Sequence, residues 1–340
     1  MSLQAAKQTV IDFHQQLDAA GTNTISEVWQ HHTSPNFRGY ASYPWRDSSS
    51  ASDFAENIWQ PLRQSVSALQ RREDLFFAGY NRNSNELWVA SMGHFMGLFD
   101  ATWLGIPPTG KMVMIRYAEF CRVEHNQIQN LGFFIDLIGV MQQAGVNPLP
   151  EETGQFFVYP GPKTHDGIVL QDADPAESEK TLALVDRMVD DLDQLNKSGN
   201  DHCPPELLAQ TWHDDMVWYG PAGIGATCTI ERYQQQHQHP FRQGLTGKEF
   251  VGHVCRIAEG DFAGFFGWPN LRNAPSGGFL GLPANGAQAV EMQVVDMYRR
   301  EGDKLAENWV IIDFPYWLQQ QGLDVLARMQ SLQPANKHTP

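Results

Sequence analysis

One loop occurs twice in this chain. Gly105-Ile106-Pro107-Pro108-Thr109-Gly110 returns as Gly281-Leu282-Pro283-Ala284-Asn285-Gly286, and each copy leads through apolar runs to a terminal acid, Asp136 in the first and Asp313 in the second. The spacing from loop to acid differs by a single residue, so one insertion relates the two segments. A repeat of this kind implies a duplicated domain and constrains the architecture before any motif is weighed. The length of 340 residues agrees, because it exceeds the range over which one core keeps growing and halves into ordinary domain sizes. The expected organisation is a first domain over residues 1–146, a Pro- and Gly-rich linker over 147–173, a second domain over 174–330 and a tail over 331–340.

Charge narrows the partners. Asp and Glu number 39 against 24 Lys and Arg, a formal net charge of −15 that would repel phosphate backbones and anionic lipid. No nucleic-acid or membrane partner is expected, since no apolar run approaches the roughly 18 to 20 residues of a spanning helix. The opening Met1-Ser2-Leu3-Gln4-Ala5-Ala6-Lys7 lacks the apolar core of a secretory signal, so a cytoplasmic location is expected. Cys121, Cys203, Cys228 and Cys255 show no CxxC spacing and read as free thiols. His237-Gln238-His239 lacks an apparent third ligand, and Gly220-Pro221-Ala222-Gly223-Ile224-Gly225 lacks the features of a nucleotide loop, so neither metal nor cofactor is expected.

Each half opens with helices. Val10, Phe13 and Leu17 form one stripe in the first half; Leu182, Val185, Val189, Leu192 and Leu195 form another after an N-cap at Asp174, with Pro175 at the first helical position and Glu177 three residues past the cap. Short second helices should carry Ile25, Val28 and Trp29, with a Thr24/Glu27 capping box, and Leu207, Leu208 and Trp212. Third helices are expected over Asp53 to Leu69 and Thr229 to His239, interrupted or ended by Pro61 and Pro240. Strands should follow at Leu75–Tyr80, Leu87–Phe95, Met112–Val123 and Ile128–Ile135, and again at Phe250–Ala258, Phe262–Phe266, Ala289–Arg300 and Leu305–Ile312. Helices first and an antiparallel meander after make each half α+β.

Strand alternation singles out acids on apolar faces. Glu119 shares a side with Val113, Ile115, Tyr117 and Cys121, and Asp296 with Val290, Met292, Val294 and Tyr298. An ionised carboxylate is costly to bury alone, so such an acid is paired, protonated or lining a wet pocket. On the last strands, Asp136 shares a side with Asn130, Gly132 and Phe134, and Asp313 with Glu307, Trp309 and Ile311. These two aspartates read either as pocket acids or as N-caps of the helices that follow.

The combined pattern resembles a known family. Gly-x-Pro-x-x-Gly, with Lys111 after the first copy, then Glu119 and Arg122, Asp136 and Gln143-Ala144-Gly145, is matched in the second half by Asp296 and Arg299, Lys304-Leu305-Ala306-Glu307-Asn308-Trp309, Asp313 and Gln320-Gln321-Gly322. It is similar to the SnoaL-like polyketide cyclase family of the NTF2-like superfold. The resemblance implies two cones, each with three helices inside a bent antiparallel sheet, and two halves packed through their sheets as an internal pseudo-dimer. It implies cofactor-free intramolecular aldol chemistry on a small apolar carbonyl compound, with Asp136 and Asp313 as acid/base groups. Glu307 and Trp309 have no counterpart at Asn130 and Gly132, and Ala287 replaces the loop lysine, so the halves depart from the pattern in different places.

Supporting pocket candidates are His94 on the strand before the first copy of the loop, Trp268 at the nearest equivalent place in the second half, His32 and His213 at the cone mouths, and Tyr219 beside Gly220-Pro221. Because the superfold hosts many functions, a noncatalytic carrier and a hydrolase that activates water with the same carboxylates stand beside the cyclase reading.

Overall fold

The computed structural model describes residues 1–199 and 201–332. The tail expected over 331–340 therefore falls, from 333 onward, outside the described residues, and a helix spans Val325–Leu332 just before it. The first half runs through helices Leu3–Ala19 and Ile25–His32, strands β1 (Thr33–Ala41) and β2 (Arg46–Ser48), a three-part helix over Ala51–Ser65, and strands β3 (Val66–Tyr80), β4 (Leu87–Phe99), β5 (Met112–Glu124) and β6 (Gln127–Ile135). Its six-stranded sheet has the order β2-β1-β6-β5-β4-β3, with β1 parallel to β6 and every other neighbour antiparallel.

The second half repeats this topology with breaks. After helices Pro175–Lys197 and Pro205–Leu208 come β7 (Trp212–Tyr219), β8 (Thr227–Cys228), a three-part helix over Ile230–Gly244, and β9 (Leu245–Phe250), β10 (Cys255–Glu259), β11 (Phe262–Phe266), β12 (Leu271–Pro275), β13 (Val290–Met292), β14 (Val294–Glu301) and β15 (Lys304–Ile312). The main sheet has the order β8-β7-β15-β14-β11-β10, again with its first strand parallel to its last, and β13-β12-β9 form a separate three-stranded flap. Where the first half keeps β3, β4 and β5 continuous, the second divides each into two.

Neither proline ends its helix. Each three-part helix widens into a π turn, at Ala55–Trp59 and at Gln234–Gln238, and Pro61 and Pro240 then sit in the first turn of the segment that follows. A proline there lacks only an N–H that the register shift has already left unused. The helix expected to reach Leu69 instead stops at Ser65, because Val66–Leu69 enter β3. Trp212 opens β7 rather than closing a helix, and Thr24 forms no capping box, its hydroxyl donating to Gly21 O.

The outer faces of the two sheets pack on each other. Leu75, Phe77, Trp88, Phe120 and Phe134 from one half meet Phe262, Phe266, Val295, Trp309 and Ile311 from the other in a single buried layer. Phe266 is fully buried at its centre, 5.2 Å from the Phe120 ring and 5.8 Å from that of Phe134. Gly132 makes room for it, since a Cβ at that position would lie 3.0 Å from the Phe266 ring. Segment 147–173 follows the same seam: Trp309 Nε1 donates to Pro160 O (3.0 Å), and Val169 N donates to Phe76 O (2.8 Å).

Candidate functional site

Asp136 and Asp313 lie in the seam between the halves. Asp136 accepts from Gly139 N (3.3 Å), capping the helix that follows, and from Ala222 N of the opposite half (2.9 Å). Asp313 does the same with Tyr316 N (3.2 Å) and, across the seam, Tyr43 N (2.9 Å). The two bonds are reciprocal, each half offering its terminal acid to the loop after the other's first strand. Arg116 adds bonds to Tyr219 O (3.1 Å), Gly220 O (3.3 Å) and Val310 O (2.9 Å), while Arg46 is held between the Trp268 and Tyr316 rings and reaches Asp313 at 3.4 Å.

Burial raises the pKa of Asp136 against the pull of Arg116 and two backbone N–H groups, and raises that of Asp313 to about 6 against Tyr43 N–H and Arg46. A carboxyl raised in the fold contributes stability that is complete below its unfolded value of about 3.9 and is lost as pH rises through the folded value, on the order of 2–3 kcal/mol here. Urea unfolding between pH 4 and 7 should therefore show stability falling less steeply in Asp313→Asn than in the parent protein. Equal slopes would contradict this placement of the carboxyl.

The first cone is filled. Its Glu119, 1% exposed, pairs with His14 Nε2 and lies 4.0 Å from Arg71, and His14 Nδ1 reaches Glu73 at 3.0 Å. Burial opposes the charge on Glu119, yet His14 and Arg71 outweigh it and lower its pKa; His14 is raised although burial and Arg71 oppose it, because Glu119 and Glu73 hold its proton. Trp59, Phe95, Tyr117 and Phe133 pack around this cluster. Removing one member strands buried charge, so Glu119→Ala should cost about 3–5 kcal/mol in a denaturant titration, and a loss under ~1 kcal/mol would contradict the pairing.

The second cone is open. Between its helices and the broken sheet lies a cavity of about 160 Å³ with mainly apolar walls that include Leu192, Trp218, Phe265, Met292 and Val310. Asp296 is on this wall, where its partner strand supplies Asn308, whose Nδ2 donates to Asp296 Oδ1 (3.1 Å). Burial raises the Asp296 pKa to about 6, partly offset by hydrogen bonds from Asn308 and Tyr298 and by the more distant Arg116. Tyr233 accepts from Gln238 Nε2 (2.7 Å), which leaves its own proton free to donate, and burial keeps that proton on by raising the phenol pKa. His253 stacks on Phe265 at 3.8 Å; its Nδ1 accepts from Arg256 Nε (3.0 Å), and burial and that cation hold the ring neutral.

Of the residues put forward from the sequence as catalytic or pocket candidates, Asp296 alone lines this cavity. Glu307 ion-pairs with Arg299 and accepts from Lys163 N (3.2 Å); Trp309 stacks on Tyr219, and Tyr219 packs at a tilt against Tyr159, all in the seam. Trp268 packs on Tyr40 and Phe134 there, and His94 lies 3.3 Å from Asp74. His32 packs beside Phe13 in the filled cone, and His213 bonds Glu301 O (2.8 Å) outside the second. Tyr233, His237, His253, Asn270 and Asn308 were not singled out as pocket residues from the sequence. Of these, Asn308, a polar residue within an apolar strand, and His237, weighed only for its His-x-His spacing, carried a local signal.

Among the described residues no group of three His, Cys, Asp or Glu side chains is placed to hold a metal, and no helix is long and apolar enough to cross a membrane.

The structural neighbours of this chain are SnoaL-like polyketide cyclases and NTF2-like proteins. They include a protein described as a SnoaL-like polyketide cyclase from a Jannaschia species, with 20% identity over 41% of this chain and 90% of that one and a TM-score of 0.32. An NTF2-like protein from Burkholderia thailandensis has 18% identity over 43% and 98%, with a TM-score of 0.32. TsrD from Streptomyces laurentii has 20% identity over 41% and 96%, with a TM-score of 0.32. Each spans about two fifths of the chain, and the assignment of two α+β cones rests on the strand orders themselves. No protein-family model and no curated protein matches the chain.

Proposed function

We propose that the second cone binds a small, mostly apolar carbonyl compound and that Asp296 performs cofactor-free acid/base chemistry on it. The observation that carries this reading is a carboxyl group with a pKa of about 6 on the wall of an apolar cavity. A base so poised is ionised near neutral pH yet basic enough to accept a proton from carbon beside a carbonyl. Asp296 takes that proton, the electron pair passes to the carbonyl oxygen, and the resulting enolate attacks a second carbonyl of the same molecule. The new carbon–carbon bond closes the ring and leaves an alkoxide, and the proton then passes from Asp296 to that alkoxide, which gives a hydroxyl and resets the base. Tyr233 is a neutral donor available to the developing oxyanion. Asp136 and Asp313, whose carboxylates are occupied by backbone N–H groups across the seam, position the halves instead.

The test is turnover of a panel of single-ring and open-chain diketones by the full chain and by Asp296→Asn. Loss of turnover with retained binding supports the enzyme. Binding without turnover in either protein moves the reading to a carrier.

A further inference from the structure

Three polar atoms on the cavity wall of the second cone have no partner among the described residues: an amide nitrogen, an imidazole nitrogen and the indole Nε1 of Trp212. The first is Asn270 Nδ2. Asn270 is 3% exposed, and its Oδ1 accepts from Val294 N at 2.6 Å, which fixes the amide's orientation and leaves the NH2 group as an unused donor. The second is His237 Nδ1, on a ring 9% exposed and stacked on Trp218 at 4.1 Å. Both residues line the same cavity as Asp296, one from the break before β12 and the other from the π turn.

An unmade hydrogen bond at a buried polar atom costs about 1–3 kcal/mol, so unpartnered atoms gathered in one cavity wall mark where a ligand's polar groups belong, and of the three the amide and the imidazole are the pair suited to a carbonyl and a hydroxyl. Asn270 Nδ2 can only donate and requires an acceptor, as a carbonyl oxygen provides. Burial and the nearby Arg242 lower the His237 pKa to about 3, so its ring stays neutral and Nδ1 is a donor or an acceptor according to the tautomer. A hydroxyl group satisfies either. The volume of about 160 Å³ is close to that of a cavity known to hold one benzene-sized ring.

We propose that Asn270 and His237 are the specificity pair of this cavity, and that its ligand is a single-ring hydroxylated carbonyl compound whose carbonyl oxygen accepts from Asn270 and whose hydroxyl bonds His237. The proposal rests on the second cone being the binding site but not on Asp296 being a base.

The experiment is calorimetric binding of acetophenone, phenol and the three hydroxyacetophenone isomers to the full chain and to the Asn270→Ala and His237→Phe variants. At least one hydroxyacetophenone should bind tenfold or more tighter than both acetophenone and phenol, matching the value of one recovered hydrogen bond. His237→Phe should abolish that advantage over acetophenone while sparing acetophenone itself, and Asn270→Ala should abolish the advantage over phenol while sparing phenol. The comparison within the parent protein needs no variant to fold. If all five probes bind alike, with ordered waters serving both atoms in a crystal structure of the complex, the specificity pair is overturned while the cavity stands. Probes that fail to bind at all overturn both. Loss of turnover in Asp296→Asn, measured separately, bears on the base alone.

Discussion

Asp296→Asn is expected to lower turnover by roughly 10²–10⁴, the usual contribution of a positioned general base, while leaving ligand affinity within a few fold. The change conserves shape and keeps an acceptor for Asn308 Nδ2, so the fold should hold. The same assignment fixes the pH dependence. The working form is the carboxylate, so activity should rise with pH through an apparent value of about 6 and the rise should vanish in the variant. Carbon-13 NMR of labelled aspartate side chains provides a check without substrate, because the Asp296 carboxyl should titrate near 6. A midpoint at the ordinary value of about 3.9 would remove the argument for a base. Asp313 is expected near 6 as well, so the Asp296→Asn spectrum is needed to assign the resonance.

Phe266→Ala should be the most destabilising substitution in the seam, by about 3–5 kcal/mol. The ring is fully buried, touches Tyr40, Trp88, Phe120 and Phe134, and faces Gly132, so no neighbouring side chain can swing in to fill the void. Because Phe266 belongs to one half and those neighbours to the other, urea unfolding should remain a single transition with its midpoint shifted down. Two separated transitions in the parent protein, or a shift worth less than ~1 kcal/mol, would mean that the halves are energetically independent.

Much of this arrangement was legible in the sequence. The repeated loop, the Asp174 cap and the strands around Leu87, Met112, Phe262 and Leu305 all follow from local chemistry, and strand alternation put Asp296 and Tyr298 on the cavity face. The candidates on β15 fall on its seam face, not on the face that lines the cavity. Asp296 pairs with Val310 and Tyr298 with Asn308, so Asn308, Val310 and Ile312 share the cavity while Glu307, Trp309 and Ile311 face the seam. Alternation within one strand says which residues travel together but not which face is inward, and both faces of β15 are buried here. The π turns were equally hidden, since no residue pattern in Gln234–Gln238 distinguishes a widened turn from an ordinary one. Asn270 and His237 become neighbours of one cavity only after the sheet breaks and the helix widens.

The seam joins the two cones within one polypeptide, and this changes what a substitution can do. In an assembly of two identical chains every replacement appears in both cups at once, so a residue that fills one must fill the other. Here Trp59 closes the π turn of the first cone and Gln238 that of the second, and Glu119 is locked to His14 while Asp296 faces open space. A single chain allows one cup to serve as ballast and the other to stay hollow, and each can drift under its own selection.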